Sequence, residues 1–352
     1  MAITKITVEE FIKIPQGNFL LLDVRSPSEF AHAHIPFAHN LPLFIDEERK
    51  VVGTTYKQQS REQAIKIGLT YFGSKMNLML AEVEKLIASN KLQQDNNKHI
   101  SIVVHCWRGG MRSAGVAWLL DLYGYKVYTI VGGYKAFRNW VLFQFTKAYQ
   151  FKVIAGYTGS GKTEILHSLK KQNQTIIDLE GLAKHKGSSF GNLAEVELPT
   201  QEMFENKLAI DLHQYQDKCI WIEDESQRIG NINIPTNIFL QKQTASIYFI
   251  DIPFEERLNY IVEEYGKYSK EKLVNAVIRI KKRLGGLDAK NAINYLLDDD
   301  VKSSFAILLK YYDKYYLKGL HNKENVQSHL INIQCSKMDA VANATALLHY
   351  NV

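Results

Sequence analysis

Two stretches of this 352-residue sequence combine residue types and spacings that can do chemistry. The first is His105-Cys106-Trp107-Arg108-Gly109-Gly110-Met111-Arg112-Ser113, which follows an apolar run and opens a helical pattern. A glycine-containing loop between a strand and a helix N-terminus turns successive backbone N–H groups inward, and the helix end adds partial positive charge. The thiolate of a cysteine at the start of such a loop is stabilised by those amides, by the helix dipole and by Arg108 and Arg112. A thiolate is a nucleophile, and arginines grip an oxyanion with paired hydrogen bonds. Cys106 is therefore the candidate catalytic residue, and Arg108, Gly109, Gly110, Met111, Arg112 and Ser113 form the candidate anion cradle. A buried structural cysteine is the alternative, and two glycines and two arginines beside it argue against that.

The second stretch is Gly156-Tyr157-Thr158-Gly159-Ser160-Gly161-Lys162-Thr163, a G-x-x-x-x-G-K-[ST] pattern between a predicted strand and a predicted helix. Its glycines let the backbone wrap a diphosphate, Lys162 neutralises charge on it, and the Thr163 hydroxyl reaches a Mg²⁺. Gly156, Thr158, Gly159, Ser160, Gly161, Lys162 and Thr163 are the candidate diphosphate site. Ile220-Trp221-Ile222-Glu223-Asp224-Glu225 ends a later strand in carboxylates, so Glu223 or Asp224 joins Thr163 as a candidate for the metal; a solvated turn is the plainer reading. A third patch, 178–191, mixes hydroxyls, cations and small residues and reads as a further ligand loop through His185, Lys186, Ser188 and Ser189. Taken alone, His185 suits a structural or surface role equally well.

The elements that must hold these loops follow from hydrophobic patterning. Phe19–Val24, Ile102–His105 and Lys126–Val131 read as buried strands, with helices over Val8–Lys13, 76–90 and Ser113–Tyr123. Strands alternating with helices predict a parallel sheet in an α/β domain. The polar segment 44–75, with Gly53, Gly68 and Gly73, reads as an excursion from that pattern, and 134–150 as a helical connector rich in aromatic residues. A second α/β domain begins at the strand Lys152–Ala155 and continues through Cys219–Ile222 and Ser246–Ile250. It is helical from about 254 to 320, ending in Tyr311-Tyr312-Asp313-Lys314-Tyr315-Tyr316. The expected domains are 1–135, a connector at 136–150, and 151–352.

Composition narrows the function classes. With 46% apolar and 23% charged residues the chain builds real cores and is too apolar for a disordered protein. Three scattered cysteines, Cys106, Cys219 and Cys335, make neither a disulfide framework nor a zinc site and suit a reduced, cytoplasmic setting. The N-terminus lacks the apolar core of a signal peptide, and no apolar run reaches the ~20 residues of a membrane span. The net charge of +6 resides in residues 1–150, since 151–352 balance 25 cations against 25 anions. Within that neutral part, 270–290 concentrates cations, among them Arg279, Lys281, Lys282 and Arg283. This is either a solvated helix face or a site for a polyanion.

Leu22-Asp23-Val24-Arg25-Ser26-Pro27-Ser28-Glu29-Phe30 and His34-Ile35-Pro36-Phe37-Ala38-His39-Asn40-Leu41-Pro42 resemble the N-terminal signature of rhodanese domains, with the Cys106 loop where that family keeps its sulfur-carrying cysteine. The resemblance covers roughly 1–140. One departure is that five residues separate Cys106 from Arg112, against four in most single-sulfur carriers of the family, which implies a wider cradle. A rhodanese domain fused to a phosphate-loop domain resembles the bacterial tRNA 2-selenouridine synthase family. Gly181-Leu182-Ala183-Lys184-His185-Lys186-Gly187-Ser188-Ser189-Phe190-Gly191, Glu223-Asp224-Glu225-Ser226-Gln227-Arg228-Ile229-Gly230 and Arg283-Leu284-Gly285-Gly286-Leu287 extend the likeness over nearly the whole chain.

That resemblance implies a transferase acting on the wobble 2-thiouridine of tRNAs for Lys, Glu and Gln. The sulfur is first alkylated by geranyl diphosphate. The geranylthio group is then replaced by selenium from selenophosphate, supplied by a selenophosphate synthetase. The phosphate loop would hold the allylic diphosphate with Mg²⁺. Cys106 would either carry selenium as Cys–S–Se⁻ or position selenophosphate for direct attack. Arg279, Lys281, Lys282 and Arg283 would contact tRNA phosphates, and Trp107 or Tyr134 would stack on anticodon bases. No membrane partner is implied, and a monomer is expected. Three rivals stand beside this reading: a phosphatase-like enzyme using Cys-x₅-Arg, a phosphate-loop kinase or NTPase with a regulatory rhodanese module, and a non-catalytic RNA adaptor.

Overall fold

A computed structural model describes residues 3–90, 100–185, 197–321 and 329–350. The chain divides into two compact units, one of Met1–Gln144 with Glu205–Lys207, the other of Phe145–Phe204 with Leu208–Val352.

The first unit runs β1 (Thr4–Ile6), α1 (Val8–Ile12), β2 (Phe19–Asp23), α2 (Pro27–His32), β3 (His39–Asn40), α3 (Asp46–Gln58), α4 (Arg61–Ser89), β4 (Ser101–His105), α5 (Met111–Leu122), β5 (Lys126–Ile130) and α6 (Gly133–Gln144). Its sheet has the order β1-β5-β4-β2-β3, and every pairing is parallel. Strands this apolar bury both faces: Leu20, Leu22, Ile102, Val104 and Val127 pack on one side with Val116 and Leu120 of α5 and with Phe72, Met79 and Val83 of α4, while the alternate positions Leu21 and Val103 are buried on the other. From β4 the chain moves to β5 on one side, and from β2 it moves to β3 on the other. The crevice beyond the carboxyl ends of β2 and β4 is thus the switch point where such sheets bind ligands.

Residues 44–75, expected as an irregular excursion, instead contain α3 and the first half of α4. The buried positions of α4, namely Ala64, Gly68, Phe72, Met79 and Val83, follow helical spacing and make one packed stripe. Gly68, one of the glycines of that segment, sits on the packed side of α4; a Cβ there would lie 3.2 Å from Phe44 Cζ.

The second unit contains β6 (Gln150–Gly156), α7 (Lys162–Lys171), β7 (Ile176–Ile177), α8 (Leu179–Ala183), α9 (Gln201–Gln214), β8 (Cys219–Glu223), β9 (Arg228–Ile229), β10 (Ile232–Asn233), α10 (Thr236–Gln243) and β11 (Ser246–Asp251). Four helices follow, α11 (Phe254–Tyr265), α12 (Lys270–Leu284), α13 (Gly286–Leu297) and α14 (Val301–His321), and then β12 (Leu330–Gln334) and α15 (Ala340–His349). The main sheet, β12-β11-β6-β8-β7, is parallel throughout. Its switch point lies between β6 and β8, because the chain leaves β6 toward β7 and leaves β8 toward β11. Helices α11–α14 have a core of their own, built on Leu258, Leu273, Val277, Ile280, Ala292, Leu296, Phe305 and Leu309. No helix among the described residues is long and apolar enough to cross a membrane.

Candidate active site

The Cys106 loop leaves β4 at the switch point of the first sheet and ends at Gly110, the residue before α5. Two carbonyls of the loop are bound from outside it: Tyr134 N donates to Cys106 O and Lys135 N to Trp107 O, both at 2.9 Å. That contact requires Gly133, whose φ is +58° and where a Cβ would overlap Cys106 O. With its carbonyls anchored in this way, the loop turns amides toward the sulfur. Cys106 Sγ, 3% exposed, lies 3.3 Å from Ser113 Oγ, which is also 3.0 Å from Gly110 O. Burial pushes the thiol pKa up. The Ser113 hydroxyl and amide, the Arg112 charge and the Arg108 amide outweigh it, so the thiol sits below its ordinary value.

Arg112 is held by a residue from the other side of the crevice. Its Nη1 donates to Glu29 Oε2 at 2.8 Å, and the same oxygen accepts Ser26 N at 3.1 Å. Burial raises the Glu29 pKa, but the Arg112 bond and charge hold it below the usual carboxylate range. Glu29 was legible as the capping residue of α2 (Ser26-Pro27-Ser28-Glu29), but no pattern linked it to Arg112, 83 residues away. Arg25, by contrast, is not available to a ligand. It is buried, bonded to Asp23 Oδ2 through Nε at 2.9 Å, and lies 3.9 Å over the Tyr134 ring. Arg108, Gly109, Gly110 and Met111 are exposed on the loop rim, and Ser113 is buried beside the sulfur. Tyr134 has no exposed surface, so the expectation that it stacks on a base is withdrawn; Trp107 remains 38% exposed.

In the second unit, β6 delivers the loop Gly156–Lys162 to the switch point of its own sheet. Gly161, at φ +66°, is the left-handed residue that starts α7, and a Cβ there would meet Met338 Cε at 2.8 Å. Lys162 Nζ donates to Gly156 O at 3.2 Å, Ser160 Oγ to Tyr157 O at 2.8 Å, and Arg257 Nη1 to Thr158 O at 3.0 Å. Arg257 is fixed in turn by a two-pronged bond to Asp313, at 2.9 and 2.8 Å.

Thr163 Oγ1 lies 2.7 Å from Glu223 Oε1 and 3.2 Å from Glu180 Oε2. Of the two carboxylates expected near the metal, Glu223 therefore faces Thr163. Asp224 turns away from it, with Oδ2 accepting Tyr316 OH at 2.9 Å. That hydroxyl also accepts Gly156 N at 3.3 Å. Burial and the charges of Glu180 and Glu225 push Glu223 well above the carboxylate range, and Glu223 Oε2 is buried with no hydrogen-bond partner among the described residues. Glu225 is pushed up to about 7 by burial and by Glu180. The buried ammonium of Lys242 donates to the carbonyls of Glu223 (3.2 Å) and Glu225, fixing the acidic segment from below. Glu180 fell within the 178–191 patch read as a ligand loop, though not as a residue at the phosphate loop; Lys242, Arg257 and Tyr316 carried no sequence signal as site residues, because each arrives from a separate element.

A hydroxyl and hard carboxylate oxygens, one of them orphaned, suit Mg²⁺, which takes one or two carboxylates and leaves its remaining positions to water and phosphate. Among the described residues no group of three His, Cys, Asp or Glu side chains makes a metal site unaided. His185 follows α8, where its N–H donates to Glu180 O at 3.0 Å and its ring packs on Gly230. Lys186, Ser188 and Ser189 lie outside the described residues. Arg279, Lys281, Lys282 and Arg283 are exposed on α12, whose opposite face buries Leu273, Val277 and Ile280.

Comparison with known proteins covers both units. Residues 7–139 match the family model of the rhodanese-like domain, and 149–344 match that of the tRNA 2-selenouridine synthase AAA domain. A curated tRNA 2-selenouridine synthase from Hydrogenovibrio crunogenus is 35% identical over 300 residues, 79% of each chain. One from Sulfurovum sp. is 38% identical over 301 residues, again 79% of each. A third, from Shewanella piezotolerans, is 33% identical over 358 residues, 92% of this chain and 94% of its own. With the thiol loop and the phosphate loop both intact and relatives of one kind aligned across most of its length, the chain belongs to the tRNA 2-selenouridine synthase family.

Proposed function

We propose that this chain converts 2-thiouridine at the wobble position of tRNA to 2-selenouridine, alkylating the sulfur with geranyl diphosphate before selenophosphate replaces it. The observation that carries the reading is that one chain holds two assembled anion loops, a thiolate-stabilising one at Cys106 and a diphosphate loop with Thr163 against Glu223. In the first step the uridine sulfur attacks C1 of the allylic chain, the C1–O bond breaks, and diphosphate leaves. Lys162, the loop amides and the α7 N-terminus stabilise that departing charge. Mg²⁺ held by Thr163 and Glu223 would supply further charge neutralisation there. The sulfur is soft and nucleophilic, so no strong protein base is needed.

In the second step the selenium of selenophosphate attacks C2 of the base, the C2–S bond breaks, and geranylthiol leaves. Water then cleaves the Se–P bond to release phosphate. Every bond change is a two-electron displacement. A Cys–S–Se⁻ carrier would instead expel phosphorus as phosphite or call for an added oxidant, so direct attack is the simpler route. Arg112 and the loop amides grip the phosphate, and Cys106 positions the selenium at the floor of the loop. Tests begin with 2-thiouridine tRNA from the Lys, Glu or Gln isoacceptors, geranyl diphosphate, selenophosphate and Mg²⁺, followed by nucleoside mass spectrometry. A geranyl adduct giving way to 2-selenouridine is expected. Steady ATP hydrolysis without any change to the nucleoside would favour the kinase-like rival.

A further inference from the structure

We propose that Trp107 is the platform on which the target uridine stacks while its C2 is presented to the Cys106 loop. The proposal rests on the tRNA-modifying function above and names the residue that recognises the base. Trp107 directly follows Cys106, and its backbone is fixed by Lys135 N donating to Trp107 O at 2.9 Å. The indole is braced by buried groups: the Tyr134 ring centroid lies 5.6 Å away and the Arg25 guanidinium 5.9 Å. Arg25 is itself neutralised by Asp23 and capped by Ala33 O at 2.8 Å, so the brace is rigid and carries no free charge to the ligand. Burying a tryptophan fully would have been the simpler use of its surface, yet 38% of Trp107 remains exposed beside a sulfur that is 3% exposed.

Chemistry on a base needs that base out of its stack, and an unstacked pyrimidine finds its replacement stacking partner on an aromatic face. Trp107 is the aromatic residue next to Cys106, and Tyr134 and Arg25 already pack against it, so the base takes its exposed surface. Stacking does not distinguish the uridine, its geranylthio form and the selenium product, since all share the ring. One platform therefore serves the substrate and product of the selenium step.

The test uses the full chain and a short tRNA anticodon stem–loop carrying 2-thiouridine at the wobble position, with an otherwise identical RNA abasic at that position. Titration is followed by tryptophan emission, and the contribution of Trp107 is taken as the difference between wild type and Trp107→Phe. Saturable quenching by the thiolated RNA and none by the abasic RNA is expected. Trp107→Ala is expected to raise KM for RNA in the selenium step about tenfold, with Trp107→Phe restoring most of it, in line with the usual worth of a base–aromatic stack. Unchanged emission while filter retention shows the RNA bound, or an alanine variant equal to wild type, overturns the platform. If neither RNA binds wild type, the tRNA reading itself fails, and the platform fails with it.

Discussion

At the floor of the Cys106 loop, burial alone would keep the thiol protonated, and the Ser113 hydroxyl and amide together with Arg112 reverse that balance. The sulfur is therefore expected to titrate below the ordinary cysteine value, and ultraviolet thiolate absorbance in wild type and Cys106→Ala reads this directly. Arg112→Gln should move the midpoint upward. Because the folded-state pKa lies below the unfolded one, ionisation of Cys106 adds stability above the unfolded pKa, and that increment disappears as pH falls through the folded value. Glu223 has the opposite sign. Its folded pKa is raised, so the group costs stability above the ordinary carboxylate range, where the unfolded chain ionises it more readily, and the deficit vanishes as pH drops through that range. Glu223→Gln should raise the thermal midpoint at neutral pH, leave it unchanged in acid, and remove alkylation of the tRNA. Equal midpoints at neutral pH would contradict this.

The elements that carry these residues were unevenly legible. Gly161 and Lys162 stood out because the loop needs a left-handed residue just before a helix, and only a fixed spacing supplies it. The β2 and β4 strands stood out as apolar runs. The second half of α4 was legible as a helix over 76–90, but α3 and the first half of α4 were not, because polar residues and three glycines interrupt the pattern there, and Gly68 lies on the packed side of the helix. The Glu29–Arg112 pair was invisible because sequence gives no register between α2 and the start of α5; both stand at one switch point only once the strand order is known. The same holds for Tyr316, which reaches Gly156 and Asp224 from α14. Gly133 joins α6 to the thiol loop, and Gly133→Ala is expected to lower stability by about 1–3 kcal/mol through the forced left-handed backbone and the clash with Cys106 O. Chemical denaturation would measure it, and a loss below a few tenths of a kcal/mol would mean the loop has slack.

Across the whole chain, two units use one solution, since each places its anion loop at the switch point of a five-stranded parallel sheet. The fused architecture and both motifs were evident from the sequence; how a base reaches each loop was not, because that depends on surfaces rather than motifs. The exposed cations Lys281, Lys282 and Arg283 of α12 are the expected phosphate contacts for tRNA. Replacing all three with alanine should weaken binding to every substrate tRNA alike and flatten the salt dependence of log Kd by about one unit per lost contact. An unchanged salt slope would return α12 to the role of a solvated helix face.

The most direct measurement is the point at which each variant stops. Wild type, Lys162→Ala and Cys106→Ser are each given 2-thiouridine tRNA, geranyl diphosphate, selenophosphate and Mg²⁺, and the nucleosides are weighed by mass spectrometry. Two loops with separate steps predict unconverted 2-thiouridine with Lys162→Ala, accumulated geranylthiouridine with Cys106→Ser, and 2-selenouridine with wild type. Full selenation by Cys106→Ser, or geranylation that survives Lys162→Ala, would contradict the division of labour between them.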